Sequence, residues 1–216
     1  ISVVASASVK IVPEPVEIHE YSGKFTLPSE VTISDFRDGK MVDTYIELSS
    51  KILKTKGVAL KKGGKNSTVK LSISKKIKGE GEYIIEVGKR DIRIQAADED
   101  ALWCGLQTLT QLLSQGVDRQ MVIRDEPRFG YRGAMLDCCR HFFSVEDVKS
   151  FIDMMAVHKL NRFHWHLTED QGWRIEIKKY PRLTEIGSVR ESTYMTNYSG
   201  EQCDSFVDKP YGGFYT

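Results

Sequence analysis

The 216-residue chain has no run of about 18 apolar residues, which excludes a membrane-spanning helix. It also lacks an excess of charge of either sign. With 31 Lys and Arg against 30 Asp and Glu, the net charge is +1. The chain as a whole therefore shows no electrostatic footprint for nucleic acid or an anionic membrane, and it suits a neutral partner such as a sugar. Cysteine is sparse. Cys104, Cys138, Cys139 and Cys203 show no CxxC spacing. Cys104 falls in a helical pattern and reads as a small buried apolar residue, and Cys138-Cys139 read as strand-end packing rather than redox or metal chemistry. The lysine- and glycine-rich stretch 61–65 (KKGGK) lacks the P-loop pattern, so it reads as a solvated turn rather than a phosphate cradle. There is no internal repeat or low-complexity tract. The opening ISVVASAS has no basic n-region; it is either the tail of a trimmed signal peptide or a frayed terminus.

What is present is ordinary for a globular protein. Hydrophobic residues make up 40% and charged residues 28%, enough for a substantial core in one large or two small domains. Up to Asp125 the pattern alternates strands and helices. Strands are expected at Lys10–Pro13, Val31–Ile33, Val69–Ile73 and Gln120–Ile123, and a hairpin joins Tyr83–Val87 to Asp91–Ile94 around Gly88-Lys89-Arg90. Thr44–Lys56 reads as a helix with Tyr45, Leu48, Ile52 and Leu53 on one side. Asp98–Ser114 reads as another, its stripe of Leu102, Leu106, Leu109 and Leu113 suited to packing on a sheet. The expectation is a small α+β domain over residues 1–126, an antiparallel sheet with two helices. Pro127 and Gly130 punctuate the boundary, and residues 127–216 form the second part.

The second part opens on Arg132–Asp137, a short apolar run closed by a carboxylate. Ser144 is placed to cap a helix, with Glu146 and Asp147 in its first turn facing the positive end of the dipole. Val148, Phe151, Ile152 and Met155 then recur on one helical face. Phe163, Trp165 and Leu167 alternate with His164 and His166, the period of a strand. Strand, helix and strand in this order make a parallel βαβ unit, in which chemistry gathers at the carboxyl ends of the strands. Both ends are polar: Asp137 to His141 after the first, Thr168 to Gln171 after the second.

The pieces RGAMLDCCRHFFSV, HKLNRFHWHLTEDQGWRIEI, KKYPRLTEIGS and PYGGFYT resemble the opening of the catalytic barrel of glycoside hydrolase family 20, the β-N-acetylhexosaminidases. EGEYIIEVGKRDIRIQAADEDALWCGLQTLTQLL resembles the non-catalytic domain that commonly precedes that barrel. The resemblance implies an incomplete (β/α)8 TIM barrel after the α+β domain. A full barrel takes about 250 residues, so residues 132–216 suffice for about two or three strand–helix units, and 187–214 reads as a long loop over the strand ends. It implies an exo-acting enzyme that releases terminal N-acetylhexosamine from glycans without a cofactor and is secreted or periplasmic. The reaction so implied is substrate-assisted and retaining: the sugar's acetamide oxygen attacks the anomeric carbon, an Asp orients the acetamide, and the adjacent Glu protonates the leaving oxygen. Asp98-Glu99 opens a helix and Asp125-Glu126 lies in the linker, so neither is that pair. The resemblance places it on a later barrel strand, beyond Thr216. No catalytic residue is therefore assigned within these 216 residues, and alone they are expected to be inactive.

Arg140 stands where the resemblance places the family's sugar-binding arginine, and a guanidinium fork can grip two vicinal hydroxyls. The other reading of Arg140 is an ion pair with Asp137 or Glu169. Glu169 stands where many relatives carry Asp, which helps orient a histidine and tune the acid, or else it is a solvated carboxylate. His166 and Asp170 are further supports, and Asp170 is a candidate to brace the loop through Arg174. His164 and His166 share one side of a strand, the arrangement of metal hydrolases, yet His141 and Asp170 are not at ligand spacing, so packed histidines and no metal are expected. The competing functions are a metal-dependent barrel hydrolase and a non-catalytic carbohydrate-binding module. Open strand edges and apolar helix faces imply self-association.

Overall fold

The computed structural model describes residues 9–196 and 202–216. The chain divides into two units, residues 1–130 with 156–159, and residues 131–155 with 160–216.

The first unit is built on a seven-stranded sheet. Its strands are β1 (Glu17–Lys24), β2 (Glu30–Ser34), β3 (Ala59–Gly63), β4 (Val69–Ile73), β5 (Tyr83–Val87), β6 (Ile92–Ala96) and β7 (Arg119–Asp125), in the order β1-β7-β5-β6-β4-β2-β3. Helices α1 (Lys40–Leu53) and α2 (Glu99–Ser114) supply the apolar cover. The α2 stripe of Leu102, Leu106, Leu109 and Leu113 is buried with Ile85, Ile92, Ile94 and Ile123. Asp98 caps α2, its side chain accepting from Ala101 N at 2.8 Å.

Three expectations are corrected here. The sheet is mixed, not antiparallel: β2 runs parallel to both β3 and β4, and β4 parallel to β6. Residues 61–63 of the KKGGK stretch belong to edge strand β3, where Lys61 pairs with Glu30 at 2.6 Å and Lys62 with Asp43 at 2.8 Å. Charge on an outer strand discourages further pairing, and it also hides the strand from a hydrophobic pattern. Lys10–Pro13 is not a strand. The side chains of Gln111 in α2 and of Gln115 just after it bracket the backbone of Val12 and Lys10 with four hydrogen bonds of 2.7 to 2.9 Å, doing for this extended segment what a neighbouring strand would do. The strand lies further on, at β1, whose exposed alternation of polar residues carries no apolar signal.

In the second unit, β8 (Gly133–Asp137) and β9 (Arg162–His166) are parallel and in register from Gly133 opposite Arg162 to Asp137 opposite His166. Between them runs α3 (Val145–Val157). Ser144 and Asp147 close a reciprocal cap: Asp147 N donates to Ser144 Oγ at 3.1 Å, and Ser144 N donates to Asp147 Oδ2 at 3.0 Å. Cys138, Val148 and Tyr215 form a small core with Leu136, Phe142, Phe143, Phe163, Trp165 and Leu167. Among the described residues β8 pairs only with β9, which makes one parallel βαβ unit.

Nor are residues 187–214 simply a loop. Two short strands, β10 (Thr168–Glu169) and β11 (Gly172–Trp173), precede a turn of helix, α4 (Arg182–Glu185). Then β12 (Val189–Arg190) pairs with β15 (Tyr211–Gly212), and β13 (Thr193–Thr196) with β14 (Gln202–Val207). Cys203 lies in β14, and its side chain is outside the described residues. The chain's last residues are tied in through Tyr215, which forms a parallel bridge with Ile175, and Thr216 follows it in an exposed position.

Candidate active site

Because β8 and β9 are parallel and in register, Asp137 and His166 end the two strands side by side. The chain then turns at Cys138–Cys139, and Asp137 Oδ1 accepts from Cys139 N at 2.9 Å and Arg140 N at 3.2 Å. This turn delivers Arg140 back over its own strand end. Arg140 Nη1 donates to Asp137 Oδ2 at 2.7 Å, Nη2 lies 2.8 Å from Glu169 Oε2, and Nε donates to Gln171 Oε1 at 2.9 Å. Both ion pairs named for Arg140 as its alternative role are therefore made. Three of the five guanidinium N–H groups are engaged in this way, and Nη1 also faces His166 Nδ1 at 3.5 Å. The Arg140 side chain nevertheless keeps 51% of its surface exposed.

The electrostatics follow from these contacts. Partial burial raises the Asp137 pKa, but the Arg140 guanidinium and the two backbone N–H donors outweigh it and hold the carboxyl below its ordinary value. The same bond to Asp137 raises Arg140. Burial, with the Asp137 charge behind it, pushes the Cys139 thiol up to about 11, which keeps it protonated at neutral pH. Cys138 and Cys139 are fully buried, and Trp165 Nε1 donates to Cys138 Sγ at 3.2 Å, so both thiols pack at the strand end.

His166 belongs to the cluster, its Nε2 lying 3.4 Å from Glu169 Oε2 and 3.1 Å from the Thr168 carbonyl. His164 shares its side of the strand, the two rings being 6.2 Å apart. The histidine pair does not form the metal-ligand group described among these residues. That group is Asp137, Cys139 and His166, with ligand atoms within 4.8 Å of one another. Its donors come from the ends of two strands separated by a helix, so no local spacing announces it; the register of β8 on β9 creates it. Arg140 Nη1 stands against Asp137 and His166, so a guanidinium already fills the cationic place there. Asp170 N approaches Glu169 Oε1 at 3.4 Å, and no hydrogen bond joins its side chain to Arg174 among those described. Glu169 and Asp170 also border a cavity of about 700 Å³ walled by Trp173, Tyr180, Pro181, Leu183 and Ile186. The Asp-Glu pair that the family resemblance places beyond Thr216 lies outside the described residues.

Arg174 is the residue whose role sequence reasoning missed. Its side chain is fully buried, and its guanidinium donates to four backbone carbonyls: Cys138 at 3.0 Å, Cys139 at 2.8 Å, Gly213 at 3.2 Å, and Ser188. Burial, and secondarily the charge of Arg190, draw its pKa below the usual guanidinium value. Gly172 is the local signal for it, since a Cβ there would overlap the Arg174 guanidinium.

Residues 129–216 match Glycosyl hydrolase family 20, catalytic domain, and residues 8–126 match Glycosyl hydrolase family 20, domain 2. The chain belongs to glycosyl hydrolase family 20. It is 39% identical over 208 residues to a beta-hexosaminidase of Porphyromonas gingivalis, an alignment covering 89% of this chain and 27% of that protein. A beta-hexosaminidase of Vibrio furnissii is 44% identical over 141 residues, 63% of this chain and 22% of its own length. Among solved structures, a GH20 exo beta-N-acetylglucosaminidase from Vibrio harveyi in complex with N-acetylglucosamine superposes with a TM-score of 0.77 at 32% identity, over 95% of this chain and 32% of that one. The family 20 chain thus spans about a third or less of these relatives.

Proposed function

We propose that this chain is the sugar-holding part of an exo-β-N-acetylhexosaminidase, its second unit being the start of a (β/α)8 barrel. Arg140 and the carboxylates beside it bind the terminal N-acetylhexosamine of a glycan. The carrying observation is the clamp on Arg140. Asp137, Glu169 and Gln171 fix a half-exposed guanidinium at the ends of two parallel strands. A pair of vicinal hydroxyls meets, in one place, N–H groups that donate and carboxylate oxygens that accept, and a pre-formed clamp loses little side-chain entropy on binding. Glu169 acts by holding both Arg140 and His166, which lie 2.8 and 3.4 Å from the same oxygen.

In the whole enzyme the reaction is substrate-assisted. The acetamide oxygen attacks the anomeric carbon, and an Asp-Glu pair beyond Thr216 orients the acetamide and protonates the leaving oxygen. Asp98-Glu99 and Asp125-Glu126 are not that pair. Asp98 is committed to capping α2, Glu99 pairs with Arg37, and Asp125 accepts from Tyr83 Oη at 2.6 Å in a buried network. The chain by itself is therefore expected to bind the sugar without turning it over. Calorimetry with N-acetylglucosamine should show binding that Arg140→Ala weakens at least tenfold, while a chromogenic β-N-acetylglucosaminide stays intact. Binding unchanged in Arg140→Ala would overturn the clamp, and hydrolysis by the chain would overturn the placing of the proton donor.

A further inference from the structure

The near-neutral total hides a strong asymmetry. Between Lys51 and Arg93 the chain carries 13 of its Lys and Arg residues and only four acids, Glu80, Glu82, Glu86 and Asp91. The remainder is correspondingly acidic. Such a segregation along the chain marks a surface for an anionic partner when the fold gathers the cations.

The first unit gathers several of them around one groove. Asn66, Ser67 and Thr68 of the β3–β4 loop form one wall, and Gly88, Lys89, Arg90 and Asp91 of the β5–β6 turn form another. Lys70, Arg93 and Glu86 complete the lining of a cavity of about 730 Å³. Ile92 N donates to Thr68 O at 2.8 Å, Gly88 N donates to Asp91 O at 2.9 Å, and Ser67 Oγ donates to Gly64 O at 2.6 Å, so both walls are anchored. Asp91 neutralises Lys70 at 2.7 Å and approaches Arg93 at 3.3 Å. Lys89 and Arg90 are exposed, as is Lys65 beside the first wall, and no carboxylate pairs with any of the three among the described residues. The groove therefore presents unneutralised cations over a floor of hydroxyl, amide and carboxylate groups.

We propose that this groove binds an anionic polysaccharide, one bearing sulfate or uronate groups, and so holds the enzyme on a charged glycan; this rests on the family reading above. Lys65, Lys89 and Arg90 would take the anions, and Asn66, Ser67 and Thr68 the sugar hydroxyls. Two alternatives fit the lining less well. No aromatic side chain is present to stack nucleic acid bases, and no apolar side chain to enter a lipid surface.

The test uses dextran sulfate, which contains no N-acetylhexosamine, with neutral dextran and single-stranded DNA as comparators. Dextran sulfate should bind with an affinity that falls steeply as salt rises, and neutral dextran should not bind. The double variant Lys89→Glu/Arg90→Glu should weaken binding at least tenfold, whereas Lys10→Glu/Lys24→Glu, with the same change in net charge, should weaken it less than threefold. Equal losses in the two variants, or DNA binding as tight as dextran sulfate, would overturn the proposal. Arg140→Ala separates it from the sugar clamp, because it should leave dextran sulfate binding untouched while removing that of N-acetylglucosamine.

Discussion

Arg174 and Cys139 are joined through the backbone: Nη2 of Arg174 donates to the Cys139 carbonyl at 2.8 Å, one residue before Arg140. Nε reaches the Cys138 carbonyl at 3.0 Å, so a single planar fork fixes the turn that carries Arg140. The other nitrogen ties in Ser188 and Gly213. The group accepting these bonds is in every case a neutral carbonyl, which satisfies the donors without cancelling the charge.

Removing the fork should be costly twice over. Arg174→Met takes this donor from the carbonyls of Cys138, Cys139 and Gly213, while Ser188 O keeps its bond from Gly213 N at 3.0 Å, and each buried unsatisfied polar group costs about 1–3 kcal/mol. A total loss upwards of about 3 kcal/mol is expected from chemical denaturation. Arg174→Lys keeps the charge but not the planar geometry, so it should recover only part of that stability. If Arg174 positions Arg140, the lysine variant should still fold yet bind N-acetylglucosamine more weakly. Affinity equal to that of the parent chain would show that the turn holds without the fork.

The Cys139 thiol gives a pH signature. Its pKa is raised to about 11 in the folded chain by burial and by Asp137, against an ordinary value of about 8.5. Above about 8.5 the unfolded chain releases this proton first, so the folded state loses stability as pH climbs towards the folded value. Cys139→Ser should flatten that decline in melting temperature. In the native protein iodoacetamide should leave Cys139 unmodified at about pH 8, as peptide mass spectrometry would read, and should label it after denaturation. Fast native labelling would contradict the burial.

Much of this was legible in the sequence, for identifiable reasons. Helices α2 and α3 declare themselves through their leucine and valine–phenylalanine faces, and both caps, Asp98 and Ser144, are local signals. The alternation His164-Trp165-His166 gives β9 and puts His166 at its carboxyl end. Relations between distant segments were not legible. Whether β4 runs parallel to β6 is set by the path of the chain between them, so nothing in Val69–Ile73 reveals it. Arg174 escaped because a fully buried arginine contradicts what composition leads one to expect. The Asp137–Cys139–His166 grouping depends on strand register alone.

Gln107 exposes a cost inside α2. It is 1% exposed, and neither its Oε1 nor its Nε2 finds a hydrogen-bond partner among the described residues. An unsatisfied buried amide destabilises by about 1–3 kcal/mol, and methionine has a similar length and a good helix propensity. Gln107→Met should therefore raise the stability of the first unit by up to about that amount, measured as a higher denaturation midpoint at unchanged slope. A lower midpoint would mean that the amide is satisfied in solution.

Strands β8 and β9 pair only with each other among the described residues, so each presents an unpaired outer edge. Met135, Ile152, Met154 and Ile186 are 45–62% exposed in the same unit. Open strand edges template pairing with another chain, and contiguous apolar surface adds an incentive to associate. The chain alone should therefore self-associate as its concentration rises, as sedimentation velocity would detect. Ile152→Lys should shift the distribution towards monomer by placing charge on the α3 face, without touching Arg140 or its partners. A monomer at all concentrations, with a cooperative melt, would show that these edges are protected in solution.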